Sequence, residues 1–190
     1  MTAQITDKFL YNGNEYYFIK ASDKFGFNPR DYDVKPLAFM TSNWRGFYCD
    51  YCIEKNVLYL ENMTICGGSK KFTEQFGGYR AGRNDYGATY KHIMMGIEYS
   101  GKLLIGRDFI DKYYLHSGFQ CASAYREVIE LGFSNGQVFE VVNHSEYVEK
   151  HRDELYYSEI YGSDASEKGI WKLIKSIIGL GEMKYWWEQE

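Results

Sequence analysis

The chain has 190 residues and a formal net charge of −4, enough length for one domain with a substantial core and a balance that argues against direct nucleic-acid binding, which needs clustered Lys and Arg. No run of about 18 apolar residues is present, which speaks against a membrane-spanning helix. Aromatic residues reach 18%, with 19 Tyr and 12 Phe against 2 Pro, a bias that suits pleated, half-buried strands.

Met1 to Lys8 is polar and lacks the apolar core of a secretory signal, so a cytoplasmic location is expected. A first hairpin is predicted from Lys8–Tyr11 and Glu15–Ile19. Its turn is Asn12-Gly13, the favoured type I′ pair because both central positions need positive φ. The loop Ser22–Lys35 follows, with Phe25, Phe27 and Tyr32 as its anchors. Leu37–Thr41 reads as a short strand. Gly46–Ile53 and Val57–Ile65 read as two strands around Glu54-Lys55-Asn56. Gly67–Thr89 is rich in Gly and basic residues with little periodicity, and is expected to be a long functional loop.

A third hairpin is predicted over Tyr90–Ile110, turning at Ser100-Gly101. Ile93, Met95, Ile97 and Tyr99 alternate on one face; Leu103, Ile105 and Phe109 do so in the second arm, with Arg107 in the same row. A charge there is either a strand-end residue reaching solvent or an inward Arg paired with Glu98, Asp108 or Glu127. Asp111–Tyr125 is undecided between an irregular crossover and a short helix. A fourth hairpin spans Arg126–Val142 with Asn135-Gly136 at its turn.

The rest is expected to be helical. Asn143 followed by Glu146, or Ser145 alone, caps a helix to about Ser158. Ser166 caps a second, on which Ile170, Trp171, Ile174, Ile177 and Ile178 form an apolar stripe. The expected fold is therefore a single α+β domain over residues 1–190. Residues 1–142 are mainly β, an antiparallel sheet built from consecutive hairpins, and 143–190 are C-terminal helices.

Chemistry-bearing patterns are sparse. Cys49-x-x-Cys52 has a metal-like spacing, and Cys66 and Cys121 would complete four ligands. In a strand, however, positions three apart point to opposite faces, so buried thiols are the expectation and no metal is assigned. His92, His116, His144 and His151 form no ligand motif. The run Gly77 to Arg83 lacks the Gly-Lys-Ser/Thr ending of a phosphate loop. No cofactor is expected.

Phe27-Asn28-Pro29 through Tyr32, then Thr41-Ser42-Asn43-Trp44-Arg45-Gly46-Phe47 and the strand pair after it, resemble segments of small bacterial immunity-type proteins. So does Gly101-Lys102-Leu103-Leu104-Ile105-Gly106-Arg107-Asp108-Phe109-Ile110. Such proteins are encoded beside polymorphic toxins, and the resemblance covers residues 5 to 142. It implies a protein that binds a cognate toxin directly and blocks it, without a catalytic centre of its own. It assigns no functional residue.

From the residues themselves, the expected toxin contacts are Arg80, Arg83 and Asp85 in the basic loop, and Tyr156, Tyr157, Trp186 and Trp187 near the C-terminus, since Tyr, Trp and Arg are the hot-spot types. Net acidity would favour a basic toxin. Two alternatives stand beside this reading. One is a small enzyme using Arg107, Asp108, Glu127 and His116 in a sheet-lined cleft. The other is a small-molecule binding module with an aromatic-lined cavity.

Overall fold

A computed structural model describes residues 2–32, 34–66, 75–76, 78–84 and 87–161. Its strands in chain order are β1 (Lys8–Tyr11), β2 (Asn14–Ala21), β3 (Phe47–Glu54), β4 (Val57–Cys66), β5 (Gln75–Phe76), β6 (Tyr79–Arg80), β7 (Gly82–Asn84), β8 (Gly87–Tyr90), β9 (Met95–Gly96), β10 (Gly101–Phe109), β11 (Tyr125–Ser134) and β12 (Gln137–Asn143). One helix follows, α1 (Ser145–Tyr161).

Three hairpins form where local turn chemistry dictates them. Asn12 and Gly13 both have positive φ between β1 and β2, Lys55 and Asn56 between β3 and β4, and Asn135 and Gly136 between β11 and β12. The predicted hairpin over Tyr90–Ile110 does not form. β9 pairs with β4, while β10 lies between β2 and β11, antiparallel to both. Apolar alternation specifies which face is buried but not which strand is the neighbour, so the faces were legible there as far as Arg107 and the pairing was not.

The sheet is mixed rather than wholly antiparallel, because β1 runs parallel to β3, from Lys8↔Asp50 to Tyr11↔Ile53. The long connection through residues 22–46 makes this possible, since parallel neighbours need a crossover. Leu37–Thr41 is not a strand; only a single bridge, Met40↔Asn43, forms nearby. Nor is Gly67–Thr89 simply a loop. Its described parts form the ribbon β5–β6 and the hairpin β7–β8, and β8 extends the main sheet beside β4.

The strand order is β12-β11-β10-β2-β1-β3-β4-β8-β7, and β12 returns to β4 at Gln137↔Val57. The strands from β12 to β4 thus form a closed circuit. Its seam is held by Leu58 N–H to Gly136 O and Val138 N–H to Asn56 O, at 2.9 and 2.8 Å. The interior is filled by the inward rows of these strands, among them Phe9, Tyr51, Leu60, Leu103 and Leu131. Rings pack against one another in this interior: Phe9 stacks on Tyr51 at 5.1 Å, and Phe25 meets Tyr51 and Tyr99 at 5.3 and 5.0 Å.

A second, smaller core lies outside the circuit. Ile19, Leu104, Tyr125 and Val128 meet Tyr113 from the crossover and Val148 from α1. The crossover 111–124 is irregular apart from two short 3-10 turns, Asp111–Tyr113 and Ala122–Ala124. The start of α1 is tied down by Asn143, while Ser145 is turned toward β11 instead of capping its own helix. Asn143 Oδ1 accepts the Ser145 N–H, and Ser145 Oγ accepts the Val128 N–H of β11. Arg152, buried against this core, donates to the carbonyls of Ser123 and Tyr125 at 2.6 and 2.7 Å. The second predicted helix, from Ser166, lies outside the described residues. Among those that are described, no helix is long and apolar enough to cross a membrane.

Candidate functional site

The sequence-predicted contact residues that the structure describes lie on separate elements. Arg80 is exposed on the β5–β6 ribbon. Arg83 lies in β7, and Asp85 falls outside the described residues. Tyr156 and Tyr157 sit on α1 beside β11, near the opposite end of the strand order; Tyr156 packs against the second core and Tyr157 is exposed. Trp186 and Trp187 lie outside the described residues.

The proposed acid/base quartet is only half assembled. Arg107 and Glu127 face each other across β10 and β11. Arg107 Nε donates to Glu127 Oε2 at 2.6 Å, Tyr16 Oη donates to Oε1 at 2.7 Å, and Arg107 Nη1 donates to Asn14 Oδ1 at 3.1 Å. Burial pushes the Glu127 carboxyl up, but the Tyr16 and Arg107 hydrogen bonds and the Arg107 charge outweigh it, leaving its pKa below the ordinary value. The same environment, burial first and the Glu127 bond second, pushes the Tyr16 phenol up to about 12. A carboxylate engaged on both oxygens and held charged is a poor proton donor, so the cluster acts as a polar clamp between β2, β10 and β11. His116 is elsewhere, exposed and edge-on to Tyr114 at 5.0 Å.

The four thiols do not converge. Cys49 points into the core. Cys52, on the other face, lies against the Met94 sulfur at 3.9 Å. Cys66 accepts from Asn43 Nδ2 at 3.2 Å, and Cys121 contacts Ser123 Oγ at 2.8 Å.

A buried charge cluster links the sheet to α1. Glu130, on the outward face of β11, is buried; its Oε1 accepts from Lys102 Nζ at 2.7 Å. Its Oε2 lies 3.4 Å from His144 Nε2, close enough to feel the ring but without hydrogen-bond alignment. Burial pushes the carboxyl up, yet His144 and Lys102 more than offset this, and its pKa lies below the ordinary 4.5. A carboxylate with a depressed folded pKa contributes stability that is complete above its unfolded pKa and disappears as pH falls through the folded one. Urea midpoints should therefore hold down to about pH 5 and fall below it, and Glu130→Gln should flatten that acid limb. An unchanged limb in the variant would mean that Glu130 contributes nothing to it.

One surface combines exposed aromatics, fixed geometry and charge. Asp108 adopts a left-handed backbone, φ 58°. The inward alternation of β10 breaks there. Phe109, expected in the row of Leu103 and Ile105, instead packs edge-on against Tyr125 of the outer core at 5.6 Å. Phe109 remains 40% exposed and meets Tyr114, 37% exposed, at 6.4 Å, and His116 continues the row. Gly106 makes room for the buried Tyr125 ring, since a Cβ there would come within 2.6 Å of it.

The crossover bearing Tyr114 and His116 is braced. Gln120 clamps Leu115 by two hydrogen bonds, 2.8 and 2.9 Å. Tyr113 Oη donates to Asp153 of α1, and Gly118 O accepts the Gln4 N–H. Asp108 and Asp111 are exposed at the rim of the row, and neither forms an ion pair among the described residues. Sequence reasoning named Asp108 and His116 only as parts of an acid/base cluster and missed the aromatic surface because it turns on one unusual φ; an Asp at a strand end, a residue type that tolerates left-handed backbone, was a signal of it. Comparisons with family models, with curated proteins and with solved structures found no match to this chain.

Proposed function

We propose that the chain is a binding protein of the immunity type, which neutralises a cognate bacterial toxin by direct protein–protein contact. The observation that carries the mode of action is the Phe109–Tyr114–His116 surface. Aromatic side chains with little conformational freedom, set on a braced backbone, lose little entropy on docking and are the usual centres of binding energy. The partner class rests on the resemblance of the Thr41–Phe47 and Gly101–Ile110 segments, the second of which contains Asp108 and Phe109. The acidic rim and the net charge of −4 favour a basic face on the toxin, where complementary charge raises the association rate.

The test is co-expression with the protein encoded next to this gene, scored for protection of the host and for a stoichiometric complex. Phe109→Ala with Tyr114→Ala should weaken the complex by about a hundredfold or more while leaving the free protein folded. Asp108→Asn with Asp111→Asn should slow association and flatten its salt dependence. Absence of both protection and binding would refute the function; tight binding indifferent to all four substitutions would refute the surface.

A further inference from the structure

A charged row on the outward face of the sheet spans β10, β11 and the end of β12. Glu130 stands opposite Leu104 of β10 and Val142 of β12. Lys102 and His144, each two residues away along those chains, are therefore its diagonal neighbours, within reach of long side chains. α1 packs on this face, where its Val148 meets Leu104 and Val128. Lys102 Nζ donates to Glu130 Oε1 at 2.7 Å, but Glu130 Oε2 and His144 Nε2, 3.4 Å apart, are both buried without a hydrogen bond among the described residues. Glu130 is 1% exposed and the His144 side chain 11%. Buried polar atoms left unbonded are costly, and here one proton would serve both. A protonated imidazole donates from each nitrogen, and its bond to a carboxylate closes to about 2.7–2.9 Å.

We propose that the junction of β12 and α1 is a proton-operated joint, loose while the His144 ring is neutral and fastened when the ring takes up a proton and donates from Nε2 to Glu130 Oε2. His144 is the residue between the two elements, and its backbone holds both sides. Its N–H bonds Val128 O, and its carbonyl accepts the Val148 N–H. A ring drawn onto Glu130 therefore fixes the first turn of α1 on β11. α1 in turn braces the crossover, through Asp153 to Tyr113 and through Arg152 to the carbonyls of Ser123 and Tyr125. The surrounding charges leave the pairing favourable. Lys102 opposes a second cation, but it sits on the other oxygen of Glu130 and is offset by Glu140 of β12, 4.0 Å from its Nζ. On α1, burial and then Glu154 push the Tyr147 phenol up, so it stays neutral, while His151 stacks on Tyr147 at 4.6 Å and pairs with Glu154. Histidine changes charge between about pH 5 and 8, so the joint fastens as pH falls through that range and loosens as pH rises. It loses its acceptor only when Glu130 itself is protonated, at lower pH.

Hydrogen exchange of the full chain between about pH 8 and 5.5 tests this. After correction for intrinsic rates, the His144 and Val148 amides should be about tenfold better protected at the lower pH, the scale of one hydrogen bond to a charged group. The His144 ring, followed by nitrogen NMR, should titrate in step with them. His144→Gln and Glu130→Gln should each abolish the response, and His151→Gln should leave it intact. Amide protection that stays flat while the ring titrates overturns the proposal, and so does a ring that does not titrate in this range. A response that survives His144→Gln, or is lost in His151→Gln, overturns it as well. Should Glu130→Gln fail to fold, the ring and amides of the unaltered chain decide the matter. None of these measurements involves a partner, so they leave the toxin-binding reading untouched.

Discussion

Arg45→Met should cost about 3–5 kcal/mol of unfolding free energy, because it leaves a buried carboxylate without its counter-charge. Asp7 is 4% exposed and the Arg45 side chain 12%. Nη1 and Nη2 of Arg45 donate to the two oxygens of Asp7 at 2.8 and 2.7 Å, and the Cys49 N–H also donates to Oδ1 at 2.8 Å. Burial by itself would lower the Arg45 pKa, but the Asp7 charge and hydrogen bonds raise it above its ordinary value. The guanidinium also lies over the Phe47 and Phe119 rings, at 5.1 and 5.8 Å, so it is packed as well as paired.

Asp7→Leu should be comparably costly, since it strands the cation instead. The double variant Asp7→Leu/Arg45→Met should recover part of the loss, as buried pairs replaced by apolar groups often do. Urea denaturation of the three variants checks this. Single-variant losses below about 1 kcal/mol would place the pair with solvated surface bridges. The pair also fastens the residues before β1 to the start of β3, and so supports the parallel pairing of those two strands.

Gly136→Ala should be much more damaging than Gly13→Ala, although both residues close Asn-Gly turns with nearly equal φ, 77° and 75°. At Gly13 an added Cβ meets nothing within 4 Å, so the cost is left-handed strain alone, about 1–2 kcal/mol. At Gly136 the same atom would stand 2.3 Å from the carbonyl oxygen of Ile97. Relief by movement is blocked on both sides, because the Gly136 N–H bonds Tyr99 O and its carbonyl accepts the Leu58 N–H. Adding overpacking of about 1–3 kcal/mol to the strain should give a loss of more than about 3 kcal/mol and an opened seam between β12 and β4. Thermal melts of the two variants would decide it; equal losses would mean that the seam yields easily.

The contrast between these two glycines marks what sequence alone could determine. Asn12-Gly13 and Asn135-Gly136 announce their turns because φ preference is a local property. The inward rows of β11, and of β10 as far as Arg107, are legible because alternation is a local pattern of polarity; in β4 the pattern breaks at Glu61, which the register with β3 skips, and Met63 and Ile65 join the row of Leu58 and Leu60. The start of α1 is legible because Asn143 acts on neighbouring backbone; Ser145 instead accepts from Val128 of β11, a contact no local pattern announces. Arg107 in an apolar row left open a strand end reaching solvent or a carboxylate partner; the pairing with Glu127, and not with Glu98 or Asp108, depends on β10 lying beside β11.

Tertiary structure decided the rest. It set β1 parallel to β3, gave β10 the neighbours β2 and β11, and closed the circuit at Val57. Each of these pairs residues far apart in the chain, where many arrangements would bury the same faces. It also decided which candidate side chains are neighbours. Arg80 and Tyr156–Tyr157 look equivalent by composition yet lie on separate elements, while Phe109, Tyr114 and His116 become one surface only because Asp108 turns its backbone left-handed and breaks the row. Residue type says what a side chain can do; which side chains do it together depends on long-range pairing and on a single dihedral angle.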